Sequence, residues 1–366
     1  MTIVKELRDQ HPHPSLPHQG GGLSKVLPHQ GGGLQGASIP PEIAARYAVA
    51  ITPEMEALID PTDPADPIAA QFVPDPRELA QAPEEDPDPI GDERFSPVKG
   101  IVHRHPDRVL LKPSLLCPVY CRFCFRRETV GQGSASTGAM LSEAELAAAL
   151  DYVAGHPEIW EVVVTGGDPF LLAPRRIAAL VERLDGIPHL GVIRFHTRVP
   201  VVDPSRIDAA LTLALSAGKA VYVVVHSNHP RELTPSMRDA CGRIVRVGIP
   251  MLSQTVLLKG VNDDAETLTA LMRGLVAMRI KPYYLHHADL APGTAHFRTS
   301  LAEGQALMRQ MRGDVSGLCQ PSYVLDLPGG HGKVPVGPCY AAPLPEGEGW
   351  SVEDGHGAHH LYPPKP

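Results

Sequence analysis

Hydrophobic residues in this 366-residue chain change their spacing partway along it. From about Val109, short β-branched runs alternate with stretches whose apolar residues recur every three or four positions. The runs are Trp160–Thr165, Gly191–Thr197, Ala220–His226, Met251–Lys259 and Pro282–His286. Near-continuous apolar runs of this length predict strands covered on both faces. The stretches between them predict helices over Ser142–Ala154, Pro174–Leu184, Pro204–Ala217, Thr234–Val247, Asp264–Met278 and Ser300–Met311. Ser142-x-x-Glu145 and Ser300-x-x-Glu303 carry the capping-box spacing, and Gly218 and Gly248 suit helix C-termini. Strand–helix alternation at about 30 residues per unit predicts parallel β–α–β units, as a barrel or an open sheet.

Outside that region the periodicity fails. Leu16–Leu23 (LPHQGGGL) recurs unchanged at Leu27–Leu34, a composition too poor in apolar area to fold. Residues 1–38 are therefore expected to be a disordered low-complexity insert. Residues 39–100 read as a region of short helices broken by prolines, with a solvated acidic patch at Glu84–Asp88. Residues 101–340 form the regular core, and the Pro/Gly-rich segment 341–366 is expected to be a disordered tail.

Polar residues of distinctive type fall where the predicted strands end. Gly166-Gly167-Asp168 follow one strand, His196 and Arg198 the next, His226 and Asn228 another, and Asp289 a later one. Strand C-termini of a parallel α/β fold share one face, where chemistry collects, so this bias predicts a single site. Cys117, Cys121 and Cys124 follow the first strand in the run Cys117-Pro-Val-Tyr-Cys-Arg-Phe-Cys124. Gaps of three and two residues bring three thiolates onto one short loop. Four cysteines ordinarily complete a cubane iron–sulfur cluster, so three would leave one iron free to bind something else. A zinc site lacking its fourth ligand, or three unconnected thiols, are the alternatives.

Composition narrows the class. A net charge of −8 and 5 % aromatic residues exclude an electrostatic or stacking case for nucleic-acid binding. Six cysteines, three of them clustered, suit metal chemistry in a reducing cytoplasm rather than a disulfide framework. No apolar run approaches the roughly 20 residues that span a bilayer, so no membrane association is expected.

The cysteine loop followed by Arg126-Arg127 resembles the radical S-adenosylmethionine (SAM) enzymes, and within them the lysine 2,3-aminomutase family. The resemblance runs from about Asp66 to Tyr340. It takes in Ser96–Leu110 (SPVKGIVHRHPDRVL), Thr165–Pro169 (TGGDP), Arg194–Val202 (RFHTRVPVV), Ser227–Pro230 (SNHP) and Pro328–Val336 (PGGHGKVPV). It implies a partial (β/α)6-type radical SAM barrel with a helical N-terminal extension. It implies a [4Fe–4S] cluster on Cys117, Cys121 and Cys124, with SAM bound near Gly166, Gly167, Asp168, His196, His226 and Gln254. Lys333 would carry pyridoxal 5′-phosphate (PLP), whose phosphate Arg104 and Arg108 would contact. Arg126 would grip the substrate carboxylate, while Asp289 and Asp326 would hold a lysine side-chain ammonium.

The implied activity is conversion of L-lysine to β-lysine by 2,3-amino migration, with an electron from a flavodoxin or ferredoxin. Glutamate, arginine or ornithine are alternative substrates. A branch forming (R)-β-lysine for elongation factor P shares a histidine at the position of His286, where other members have tyrosine. A non-catalytic iron–sulfur sensor is the alternative of another class. Clostridial-type members carry a C-terminal Cys-x-Cys-x-x-Cys zinc site completed by an upstream cysteine. Here the tail offers Cys339 alone and Asp264 stands near the upstream position, so no structural zinc is expected and a homo-oligomer is left open.

Overall fold

Nine strands lie in strict chain order in one sheet, so each new β-unit is added beside the last. They are β1 (Ile101–His105), β2 (Arg108–Ser114), β3 (Glu161–Gly166), β4 (Val192–Thr197), β5 (Ala220–His226), β6 (Met251–Leu257), β7 (Ile280–His287), β8 (Ser322–Asp326) and β9 (Lys333–Pro335). Strands β2 to β8 run parallel, while β1 and β9 close the two edges as antiparallel hairpin partners. This is the curled half-barrel of parallel strands that the sequence predicts, with a seventh parallel strand at one end. The computed structural model describes residues 41–131, 139–345 and 347–364. The low-complexity segment at 1–38 falls outside the described residues.

Helices α1 (Pro41–Arg46), α2 (Pro53–Glu56) and α3 (Ala69–Phe72) precede the sheet as single turns. Between strands come α4 (Glu143–Ala154), α5 (Pro174–Asp185), α6 (Val199–Val202), α7 (Ala209–Ala214), α8 (Pro235–Arg246), α9 (Ala265–Ala277) and α10 (Leu301–Asp314). Ser142 and Ser300 each close a reciprocal capping box, on Glu145 and Glu303. Asp264 caps α9 by accepting from Thr267 N at 2.8 Å, an ordinary helix-start role for the residue near the expected zinc-ligand position. Among the described residues no helix is long and apolar enough to cross a membrane.

Period-2 alternation divides each strand into a helix-facing and a lumen-facing set. Ile193, Phe195, Val223, Val225 and Leu285 join one continuous apolar core with the helices. Arg194 and His196 on β4 alternate with those core residues, as do His226 on β5 and His286 on β7. The register aligns His226 with Gln254, Val256 with His286 and Asp326 with Lys333. The concave face is thus unusually rich in charge.

The tail departs from expectation. From Ala341 onward the chain forms three antiparallel strands, β10 (Ala341–Pro343), β11 (Trp350–Glu353) and β12 (His359–Tyr362). Its glycines serve as turn formers, with positive φ at Gly347, Gly349 and Gly357. An Arg309–Glu353 ion pair at 3.2 Å ties this sheet to α10. The acidic patch is also more than solvated surface, because Glu85 is buried and pairs with Arg298 while Asp86 N donates to Leu290 O at 2.8 Å.

Candidate active site

The cysteine loop leaves β2 at the C-terminal edge of the sheet, and internal charge holds it there. Glu78 is fully buried and accepts from Arg122 Nε at 2.9 Å and from the Arg127 guanidinium. Arg122 also donates to Ala48 O at 2.9 Å, and Arg127 lies 3.6 Å above the Tyr47 ring. Burial alone would raise the Glu78 pKa, but the two arginines outweigh it and lower the value. Two arginines flanking the cysteines are therefore anchored inward. All three thiols border one small cavity with Tyr47, Val119 and Val130.

Burial raises the pKa values of Cys117 and Cys124, for Cys124 to about 11. Cys121 Sγ accepts from Arg198 Nη1 at 2.8 Å. Among the described residues no three His, Cys, Asp or Glu side chains close on one point as a single ion would need. Three thiols on one loop, all bordering one cavity, are the donor set a four-iron cluster with one open iron would take.

Gly166 and Gly167 sit against the backbone that enters the cysteine loop. A Cβ on Gly166 (φ +106°) would lie 2.7 Å from Ser114 O, and one on Gly167 would strike the Leu116 carbonyl. Their freedom lets β3 pack against the backbone entering the cysteine loop. Asp168 is likewise committed inside the protein. Its two oxygens accept from Phe170 N (3.0 Å), Thr197 Oγ1 (2.7 Å), Arg198 N (2.6 Å) and Val199 N (3.1 Å). With four donors on its two oxygens, this carboxylate joins the ends of β3 and β4. His196, His226 and Gln254 do line the lumen. Burial holds both histidines neutral, and His196 Nε2 is buried without a partner, an open hydrogen-bonding position facing this space.

At the other end of the sheet, the β8–β9 hairpin sets Lys333 opposite Asp326. Three glycines with positive φ, Gly329, Gly330 and Gly332, allow so tight a reversal. Lys333 Nζ pairs with Asp326 and lies 3.1 Å from His286 Nδ1, with the Tyr284 ring 5.4 Å away. Burial works to raise the Asp326 pKa, but His286 and Lys333 hold it far below the usual carboxylate range. Asp289 behaves oppositely, because burial and the Asp326 charge push it up to about 7. The charges of Lys333, Arg126 and Arg104 also reach Asp289, so these predicted residues share one environment.

Sequence reasoning missed the residue that organises the cations. Asp92 is 6 % exposed and receives Arg126 Nε at 2.8 Å, Arg104 Nη2 at 3.2 Å and Lys112 Nζ at 3.4 Å. Burial opposes its ionisation, yet Arg126, Lys112 and Arg104 lower its pKa to about 2. Three cations around one carboxylate leave a surplus of two positive charges, which suits phosphate and carboxylate ligands. Arg108 pairs with Asp107 at 2.9 Å with its side chain 37 % exposed, and its charge reaches Tyr284 beside Lys333. Gln71 and Glu232 were missed as well. Gln71 Nε2 donates to Glu232 Oε1 at 2.8 Å, inside the buried network that holds Arg198.

Comparison with known proteins identifies the family. A family model described as the radical SAM superfamily matches residues 111–271, and that domain implies a [4Fe–4S] cluster and SAM. The L-lysine 2,3-aminomutase of Acetoanaerobium sticklandii is 41 % identical over 292 residues, covering 80 % of this chain and 70 % of that protein. That of Clostridium subterminale is 39 % identical, covering 80 % and 69 %. The glutamate 2,3-aminomutase of Clostridioides difficile is 36 % identical, covering 82 % and 70 %. On this identity and coverage, the chain belongs to the lysine 2,3-aminomutase family of radical SAM isomerases.

Proposed function

We propose that this enzyme moves the amino group of L-lysine between C2 and C3, with PLP held by Lys333 and the cluster held by Cys117, Cys121 and Cys124. The observation that carries the substrate reading is the charge layout of the chamber. A surplus of positive charge at Arg104, Lys112 and Arg126 faces the acid pair Asp289 and Asp326. A substrate with a carboxylate at one end and a side-chain ammonium at the other matches both poles. Two carboxylates at the far pole would repel a glutamate side chain.

The residues divide the work by position. Arg126 binds and orients the substrate carboxylate, and Arg104 with Lys112 meets the PLP phosphate. Asp326 is paired with Lys333 in the ligand-free protein, so it becomes free for a substrate ammonium when Lys333 releases its own charge. Asp289 needs to lose its proton to serve as the second partner. His286, neutral and beside Lys333 Nζ, can accept a proton there. When bound, PLP supplies electron delocalisation that lets nitrogen migrate, and the protein's part is placement and exclusion of water. A flavodoxin or ferredoxin is proposed as the one-electron donor.

The test is an anaerobic assay of the reconstituted enzyme with SAM, dithionite and a panel of lysine, ornithine, arginine and glutamate. β-Lysine formed with the highest kcat/KM is the expected result, and chiral analysis of it reads the enantiomer. Turnover of glutamate but not lysine would overturn the reading.

A further inference from the structure

The most heavily constrained charge on the concave face is one that substrate binding does not use. Arg198 follows β4, is 6 % exposed, and is held from both ends. Its backbone N–H is fixed by Asp168, and its guanidinium lies 4.6 Å from the Phe72 ring centroid. Nη1 donates to Cys121 Sγ at 2.8 Å, while Nη2 donates to Gln71 Oε1 at 2.6 Å and lies 3.4 Å from both oxygens of Glu232. Glu232 is wholly buried and is in turn held by Gln71 and by Asn228 N at 3.3 Å. The result is an ordered chain: sulfur, guanidinium, carboxylate.

We infer that Arg198 and Glu232 form a charge couple that sets the reduction potential of the iron–sulfur cluster through Cys121. This rests on the assignment of the three cysteines as cluster ligands and is independent of the substrate reading. Hydrogen bonds to ligand sulfurs and nearby net charge are among the determinants of cluster potential. The cluster takes up one electron from an external donor, which adds one negative charge to a centre already ligated by thiolates. A buried cation donating to one of those thiolates favours that electron. A buried anion 3.4 Å beyond the cation opposes it. The charges of Arg126 and Arg127 also reach Cys124, but among the described residues only Cys121 accepts a hydrogen bond from a charged side chain. Arg198 is thus a positioning residue that acts through a ligand, and Glu232 acts through Arg198.

The two partners have opposite signs, which gives the test its force. Full-length Arg198→Gln, Arg198→Lys and Glu232→Gln proteins are reconstituted anaerobically, assayed for iron, and titrated with dithionite while the reduced cluster is followed by electron paramagnetic resonance. The expected result is a more negative potential for Arg198→Gln, a smaller negative shift for Arg198→Lys, and a more positive potential for Glu232→Gln. A purely structural role would not produce shifts of opposite sign. Potentials equal to wild type, or shifted the same way in both neutralised variants at equal iron content, would overturn the inference. If Arg198→Gln fails to retain iron, Glu232→Gln decides alone, and an unshifted potential there overturns it. A wild-type protein that takes up no iron would instead overturn the cysteine assignment beneath it.

Discussion

The two ends of the catalytic face are built on opposite terms. The cysteine loop is braced from within: Glu78 grips Arg122 and Arg127, and Asp168 gathers four donors at the ends of β3 and β4. None of these contacts needs a ligand, and none is exchanged for one. The Lys333 end is held by ion pairs among the residues proposed to meet PLP and substrate. Asp326 pairs with the lysine, and Asp92 occupies Arg104, Lys112 and Arg126. A centre that must be assembled in one geometry is preorganised by full internal pairing. A centre proposed to admit and release substrate keeps its charged side chains paired with one another, and Asp92 holds its arginines in place.

Three experiments can break or sharpen this contrast. The largest effect is expected in the bracing. Glu78→Gln leaves two buried guanidinium groups short of charge, and denaturant unfolding should show a loss on the order of 3–5 kcal/mol. Lys333→Ala, at a pair whose side chains are 23 % and 15 % exposed and where His286 still flanks Asp326, should cost less than Glu78→Gln. Equal losses in the two variants would dissolve the distinction.

Next comes Asp92→Asn, which removes the charge that positions Arg126 and Arg104. Losing a charged hydrogen-bond acceptor is worth roughly 1.5–3 kcal/mol, so a roughly ten- to hundredfold rise in KM for the amino acid is expected. An unchanged KM would mean that the arginines need no positioning.

The smallest effect is a pH dependence. Asp289, pushed up to about 7 by burial and Asp326, is protonated below that value in the ligand-free protein. A cationic side chain binds the carboxylate, so its binding expels a proton there. Affinity for lysine should therefore be constant above about pH 7 and fall by up to about tenfold per unit below it. Calorimetry in buffers of different ionisation enthalpy would detect the released proton, and a flat profile between pH 6 and 8 would contradict the assignment.

Most strand and helix positions were legible because periodicity and caps agreed, as at Ser142–Glu145 and Ser300–Glu303. The cysteine spacing and the glycine-flanked Lys333 carried the chemistry. What escaped depended on contacts distant in sequence. Strand β8 is five residues long and is ended by Leu327-Pro328, too little for a period to register. Glu78, Asp92 and Gln71 lie in a proline-broken stretch that resembles solvated surface, and only the folded chain shows their burial against arginines far along the sequence. Asp168 had a motif, but the motif does not disclose that its carboxylate accepts from three backbone N–H groups and the Thr197 hydroxyl. The tail misled because glycine and proline mark hairpin turns as readily as disorder.

The arrangement proposed for this enzyme is two separately held centres serving one face of the sheet. Its most direct test is the iron, sulfide and pyridoxal content of anaerobically reconstituted wild-type, Cys121→Ala and Lys333→Ala proteins. About four irons per chain with one covalently trapped pyridoxal is expected for wild type. Cys121→Ala should lose the iron and keep the pyridoxal, and Lys333→Ala should do the reverse. Wild-type protein holding neither group, or a Lys333→Ala protein that still traps pyridoxal, would contradict the account.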